Sequence, residues 1–549
     1  MLGCAVMAAA QDSIQKLSSD YWQWRAEHQP FNNDDIPRIE RPAGLKYSWS
    51  AKAVTQQGKD LASFEARWKT MAGEKRSVAQ QVDYELLGSA LKRVHWELDV
   101  NRRWQRDPSF YVEQTMTAFT EGLLPPPPFD ATRSHEVISR LENIPSLLDE
   151  AKANLQQPAA PFAGLAIDSL KEISGSLEVV RRELEPLLAP EDRARLAPAI
   201  AKATSALEGY RNWLQQRLPS MTTQTAIGRE AYVFFFKNVA LYPFTPEELL
   251  AMSHQEWARS VAGEQLEQQH NQKVPPLKMF RSVNEQVAAT AEREKEIRRY
   301  LLAHELLSLP DDFPHYTIHP LPVYLQALDN FGELDDFSGP SRLRENCVRW
   351  ISNPSEHLGY FAKASAEDPR PGIVHEGVPG HYLQLWLGWK NPDPVRQHYY
   401  DSGANEGLGF YAEEMMMEAG LFDDSPHTRE IIYSFMRLRA LRVEVDVKLA
   451  LGEFTLDQAA DYLARMVPMD AKTAHSEAAL FATQPGQAIS YQAGKLQIVQ
   501  FLAEARSKAG DKFDLRAFDD FVWRNGNVPI ELQKKEWFAE RDAAEAARH

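Results

Sequence analysis

Apolar residues recur every three to four positions along most of the chain, the period of a helix with one buried face. Ser13 to His28 carries Ile14, Leu17, Tyr21 and Trp22 at that spacing, and Val54 to Trp104 carries Trp68, Met71, Val82, Leu86, Leu91, Val94 and Leu98. Further helices are expected over 134–155, 165–188 and 190–218, with Pro190 suited to a first turn. Pro125 to Pro128 cannot be helix interior and marks a loop. The character changes near 223–228, which suggests one helical lobe over 13–225 and a second over 226–549. Tyr232 to Phe236 reads as strand or buried helix. Thr245 with Glu248, and Ser282 with Glu285, form capping boxes that open two more helices, the second running to about Leu307. Pro310 to Asn353 is rich in Pro, Gly and Asp and is expected to be irregular, with a few short strands. Helices resume over 402–417, 426–451, 456–466 and 485–509. The fold class this predicts is mainly α.

Composition narrows the partners. With 44 % hydrophobic and 25 % charged residues the chain can bury a sizeable core, and its net charge of −16 argues against nucleic acid or an anionic membrane surface as partner. The two cysteines, Cys4 and Cys347, exclude a disulfide framework or a CxxC metal site. No stretch of about 18 apolar residues is present, so no integral membrane segment is expected. Residues 1–12 read as a signal remnant or a disordered terminus: Met1 to Ala10 is apolar and uncharged, with Ala8 and Ala10 in an A-x-A arrangement. The first reading implies export to the periplasm, the second a cytoplasmic protein.

One stretch concentrates chemistry. Between Pro371 and Gln384 lie His375, Glu376 and His381, with Gly377, Pro379 and Gly380 inside. Imidazole suits zinc, and a glutamate beside a zinc-binding histidine can serve as general base for metal-activated water. Histidines four apart sit about 40° apart around a helix, whereas a spacing of six gives about 240°. Both can therefore reach one metal only if the chain leaves regular helix between them. Pro379 has no amide proton for the carbonyl of His375, and Gly377 and Gly380 tolerate unusual dihedrals. The bland alternative is a Gly/Pro turn with two unrelated histidines.

Other candidates carry paired readings. Glu406 offers a third metal ligand, or a carboxylate favoured near a helix N-terminus. Glu413, on the same face, could orient a ligand imidazole or be a solvated charge. Arg437, Arg439 and Arg442 with Asp446 could form an intrahelical ion-pair face or clamp a substrate carboxylate. Tyr491 could donate to an oxyanion or be a packed tyrosine. His315 and His319, flanked by Pro314 and Pro320, could contact substrate but not pair on a helix.

These residues resemble a known family. His375-Glu376-Gly377-Val378-Pro379-Gly380-His381 followed by Gln384 is similar to the HExxPGHxxQ signature of the DUF885 family. Asn405-Glu406-Gly407 with Tyr411-Ala412-Glu413 resembles its EGWALYAE stretch, Arg439 to Asp446 its RAxRLVVD segment, and Pro485-Gly486-Gln487-Ala488 with Tyr491 and Gly494 its PGQAxxYxxG segment. The resemblance implies a zinc metallopeptidase, distantly similar to helical peptidases of the thimet and carboxypeptidase Taq type. It implies one zinc held by His375, His381 and Glu406, with Glu376 as base. On the peptidase reading Tyr491, His315 or His319 is expected at the oxyanion, and Arg439, Arg442, Gln487 and His319 are expected to bind substrate. A large two-lobed helical bundle around a deep cleft, cutting short peptides, is the body it implies. Leu408, Ala450 and Leu480 depart from the family pattern, where Trp, His and Arg are usual. The rival readings are a zinc hydrolase of a non-peptide amide or ester, and a metal-binding scaffold without turnover.

Overall fold

In the computed structural model residues 2–32, 39–467 and 469–546 are described, with side chains from 13 to 543. Helices dominate, and a single small three-stranded sheet, with its last strand in the middle, is present among the described residues. Strand β1 (Tyr316–Pro320) runs parallel to β3 (Cys347–Ile351), and β2 (Asp335–Asp336) pairs antiparallel with β3. All three strands fall in the Pro-, Gly- and Asp-rich segment where short strands were expected.

Most helices sit where the apolar period puts them, and the differences have local causes. The long pattern after Val54 splits into Ala51–Thr70 and Val78–His95, because Ser77 and Gln80 form a capping box that starts a new helix. Thr245 and Glu248 cap Pro246–His270 as expected. Ser282 caps Val283–Ala303, but Glu285 bonds to the Arg281 amide rather than completing a box. The aromatic run at 232–236 lies within a helix, Arg229–Asn238, whose Tyr232, Phe235 and Phe236 pack inward. The helix expected from Pro485 starts at Ser490 instead, because Asp446 draws the 486–488 backbone into a turn. The leader expectation concerns residues 1–12, whose side chains lie outside the described residues; the backbone from Leu2 belongs to the helix Leu2–His28.

Two large apolar clusters and two smaller ones hold the molecule together. The first joins helices between Ile14 and Leu214 to Tyr324, Leu328, Phe331, Val348 and Trp350. The second surrounds the segments that carry His375, His381 and Glu406. The strand alternation decides what faces what. Tyr316, Ile318 and Arg349 share one face, and His319, Val348 and Trp350 the other. Among the described residues no helix is long and apolar enough to cross a membrane.

Candidate metal centre

His375 sits in a π-helical turn, Ile373–Gly377. The chain then leaves helix: Val378 is extended (φ −131°, ψ 123°), the Val378–Pro379 peptide is cis, and Gly380 has ψ −140°. His381 opens the next helix, His381–Trp389. The turn folds so closely on the preceding one that a Cβ on Gly380 would lie 1.8 Å from the His375 carbonyl oxygen. Only glycine fits there. The Trp523 indole donates to the Pro379 carbonyl and pins the loop. The two imidazoles meet with ring centroids 4.6 Å apart. Six-residue spacing thus becomes workable through residues 378–380, as the spacing argument requires. The π-turn before them had no distinct signal in the sequence.

Glu406 comes from the helix Ser402–Glu418 and is fully buried. One donor atom from each of His375, His381 and Glu406 lies within 4.8 Å of the others. Glu406 Oε2 is 3.5 Å from His375 Nε2 and 3.2 Å from His381 Nε2. Yet both ring nitrogens of His381 and both oxygens of Glu406 are buried without a hydrogen bond. Four polar atoms left so would be costly in a protein interior. Two imidazoles and one carboxylate are a donor set that suits zinc, with a fourth position left open. The residues present therefore fit the metal that the sequence implied.

The surroundings orient this set. Glu413 Oε1 lies 2.7 Å from His375 Nδ1, so the ring presents Nε2 to the centre. Arg439 holds Glu413 through contacts of 2.9 Å and 2.8 Å. Burial and Arg439 oppose a charge on His375, but Glu406 and Glu413 outweigh them and push its pKa up to about 9. Burial also opposes a charge on Glu406, and the two histidines outweigh it, holding its carboxyl far below the usual range.

Glu376 points into a cavity of about 450 Å³ whose walls include His375, Tyr316, Arg349, Arg439, Arg442, Gln487 and Tyr491. Arg349 NH1 lies 3.1 Å from Glu376 and 3.4 Å from Asp335. Burial raises the Glu376 pKa, and Arg349 with the two histidines more than reverses this, leaving it lowered. Arg349 escaped the sequence reading. It lies on a short strand far from the motif in sequence, and only the β3 register against Ile318 brings it to the cavity.

The remaining candidates divide. The Tyr491 ring stacks over His375 at 6.3 Å and 11°, and Arg442 lies 4.5 Å from its centroid. Arg442 is held by Glu477 through two 2.7 Å contacts. Gln487 accepts from the Ser402 hydroxyl at 3.0 Å. The arginines do not form an intrahelical face with Asp446, because each turns to a different helix: Arg437 to Glu264, Arg439 to Glu413, Arg442 to Glu477. Asp446 accepts from Tyr232 and the amides of Gly486 and Ala488. His319 does not join the cavity, since strand alternation turns it to the opposite face, 5.6 Å from the Trp350 ring. His315 is drawn away by Glu294 at 2.9 Å. Leu480, a departure from the family pattern, lies in the cavity wall with Phe361 and Phe481.

The whole architecture recurs in solved structures. A candidate lipoprotein of unknown function from Shewanella oneidensis superposes with a TM-score of 0.69 at 18 % identity, covering 98 % of this chain and 99 % of that one. A candidate lipoprotein from Colwellia psychrerythraea gives 0.70 at 17 % identity, with 98 % and 99 % covered. Likeness at that identity speaks for the fold. No curated protein matches the chain. The family model described as "Bacterial protein of unknown function (DUF885)" matches residues 42–536, and the chain belongs to that family.

Proposed function

We propose that the protein is a zinc-dependent peptide hydrolase. The observation that carries the reading is the set of four buried polar atoms of His381 and Glu406 that make no hydrogen bond, beside His375 and next to a cavity that holds Glu376. When bound, zinc supplies Lewis-acid polarisation of a carbonyl and a lowered pKa for water. His375, His381 and Glu406 would hold it. Glu376 takes the proton from water and returns it to the leaving amine. Arg349 holds the Glu376 carboxylate towards the sheet side of the cavity. Tyr491, in the same wall, is the candidate donor to the oxyanion. Glu413 and Arg439 fix the His375 ring, a carboxylate–histidine arrangement that raises ligand basicity. Arg439 therefore acts as a buttress in this reading rather than as a substrate clamp. Arg442 and Gln487 remain substrate-facing.

The test is Glu376→Gln on the zinc-loaded protein, assayed on a panel of short peptides beside small amides and esters. The reading expects zinc content to hold and peptide hydrolysis to fall by a factor of at least about 100. Hydrolysis of the amides alone, or full peptide activity in the variant, would refute it.

Export is a second inference. Two solved structures of this fold are described as candidate lipoproteins, which supports an envelope location here. Fractionation of the native cells tests it: recovery in the cytosol alone would contradict it.

A further inference from the structure

Beyond the metal cavity, two others share walls. One is about 390 Å³ and the next about 100 Å³; Pro30, Asn32, Arg93 and Glu97 stand in the walls of both. The smaller also touches Ser402 and Gln487, and Gln487 lines the metal cavity as well. Ser402 opens the helix that carries Glu406, four residues and so ~6 Å further along the axis. A bound chain in extended form covers ~3.3–3.6 Å per residue. A short peptide at the metal centre therefore needs only a few residues to extend past Gln487.

The charges in these walls are committed, with one exception. Arg25 pairs with Glu97 at 2.5 Å. Arg103 pairs with Asp107 and Glu113 at 2.8 Å each. Glu40 accepts from the Ser341 amide at 2.9 Å and its hydroxyl at 2.8 Å. Asp401, near Arg93, caps its helix by accepting from the Ala404 amide at 2.8 Å. Arg93 is half-buried, and its guanidinium makes no hydrogen bond or ion pair among the described residues. A partly desolvated guanidinium that makes no hydrogen bond is costly, and its planar fork matches a carboxylate bidentately. Trp22, Trp389 and Tyr399 wall the larger chamber, a surface suited to an apolar or aromatic side chain.

We propose that Arg93 anchors the C-terminal carboxylate of a bound peptide, in a chamber that adjoins the metal cavity at Gln487. The proposal rests on the peptide-hydrolase reading. It makes the chain selective for substrates with a free C-terminus and an apolar last residue. Arg93 is a binding residue in this account, remote from the reacting atoms.

The experiment uses the full chain carrying Glu376→Gln, so that peptide binds without turnover. The probes are the tetrapeptide Ala-Ala-Ala-Phe as free acid and as C-terminal amide, titrated calorimetrically. The free acid is expected to bind at least about ten-fold tighter, in line with a charge-assisted bidentate pair. Adding Arg93→Gln should bring the two within about two-fold, and Arg93→Lys should restore part of the preference. Arg93→Lys keeps the cation beside Asp401 and should melt with the parent, whereas Arg93→Gln removes the charge that offsets the buried Asp401 carboxyl and should melt lower. No preference in the parent, or a preference that survives Arg93→Gln, overturns the proposal. A second probe pair separates this from failure of the hydrolase reading: 3-phenylpropionate and 3-phenylpropanamide. Arg93-dependent binding of the acid in a protein that cleaves no peptide keeps the carboxylate site and sinks the hydrolase reading. Cleavage of peptides with no Arg93-dependent acid binding does the reverse.

Discussion

Glu413 gives the sharpest view of how the metal set is supported. It is buried, receives the Nδ1 side of His375 at 2.7 Å, and pairs with Arg439 at 2.8 Å and 2.9 Å. Glu413→Gln keeps the volume and removes the charge. The His375 ring loses its anionic partner, and the Arg439 guanidinium, 3.4 Å from Nδ1, is left buried beside it. Two effects follow. Loss of such a support costs metal affinity by about 10–100-fold, or about 1.4–2.7 kcal/mol. Breaking one side of a buried ion pair costs about 3–5 kcal/mol of stability, because the other charge stays uncompensated. Removing both charges together, as Glu413→Gln with Arg439→Met, should recover most of the stability but none of the zinc affinity. Zinc affinity is read by competition with a chromophoric chelator at neutral pH, and stability by denaturant melts of the zinc-free proteins. A single variant with zinc affinity within two-fold of the parent would refute the reasoning. So would a double variant no more stable than Glu413→Gln alone.

Other perturbations test separate parts of the account. Gly380→Ala forces a Cβ to within 1.8 Å of the His375 carbonyl oxygen, so the turn must open; zinc content of the purified variant should drop by at least about ten-fold. Arg349→Met frees Glu376 from its 3.1 Å contact and should lower kcat about ten-fold with zinc content unchanged, whereas an unchanged kcat would remove Arg349 from the account. Burial opposes the charge on Glu256, but Arg259 and Lys495 bring its pKa down to about 2. A lowered carboxylate stabilises the fold above its unfolded pKa of 4.5 and loses that contribution as pH falls towards 2. Glu256→Gln should therefore flatten the loss of stability between those pH values, an effect of ~3 kcal/mol at most, measured by melts across the acid range.

What the chain disclosed in advance has a physical pattern. The centre was legible because His375, Glu376, Gly377, Pro379, Gly380 and His381 are contiguous, and local sterics alone say that the chain must break helix between the histidines. Glu406 was a candidate as a carboxylate on a helix downstream of the histidine pair, and Glu413 followed because seven residues on one helix return to roughly the same face. Arg349 was not. Its role depends on β3 pairing with β1 in one register, and a residue earlier or later would face the other core. The same rule explains His319: its neighbour Ile318 faces the cavity, and His319 turns to the other side of the sheet. The arginines near 440 misled because i, i+3 and i+4 spacing promised local pairs, while acids on three other helices, the buried Glu264 and Glu413 and the half-buried Glu477, offered better ones. The helical period itself predicted element type well and boundaries less well. Caps such as Ser77 and the Asp446-held turn decide where a helix starts, and only the second needs tertiary structure.

The central claim is that His375, His381 and Glu406 form one metal site. It is tested most directly by the zinc content of the dialysed, zinc-reconstituted protein beside His381→Ala and Glu406→Gln. The account predicts about one zinc per chain in the parent and loss of nearly all of it in both variants. A parent that retains no zinc, or variants that keep the parent's content, would contradict it.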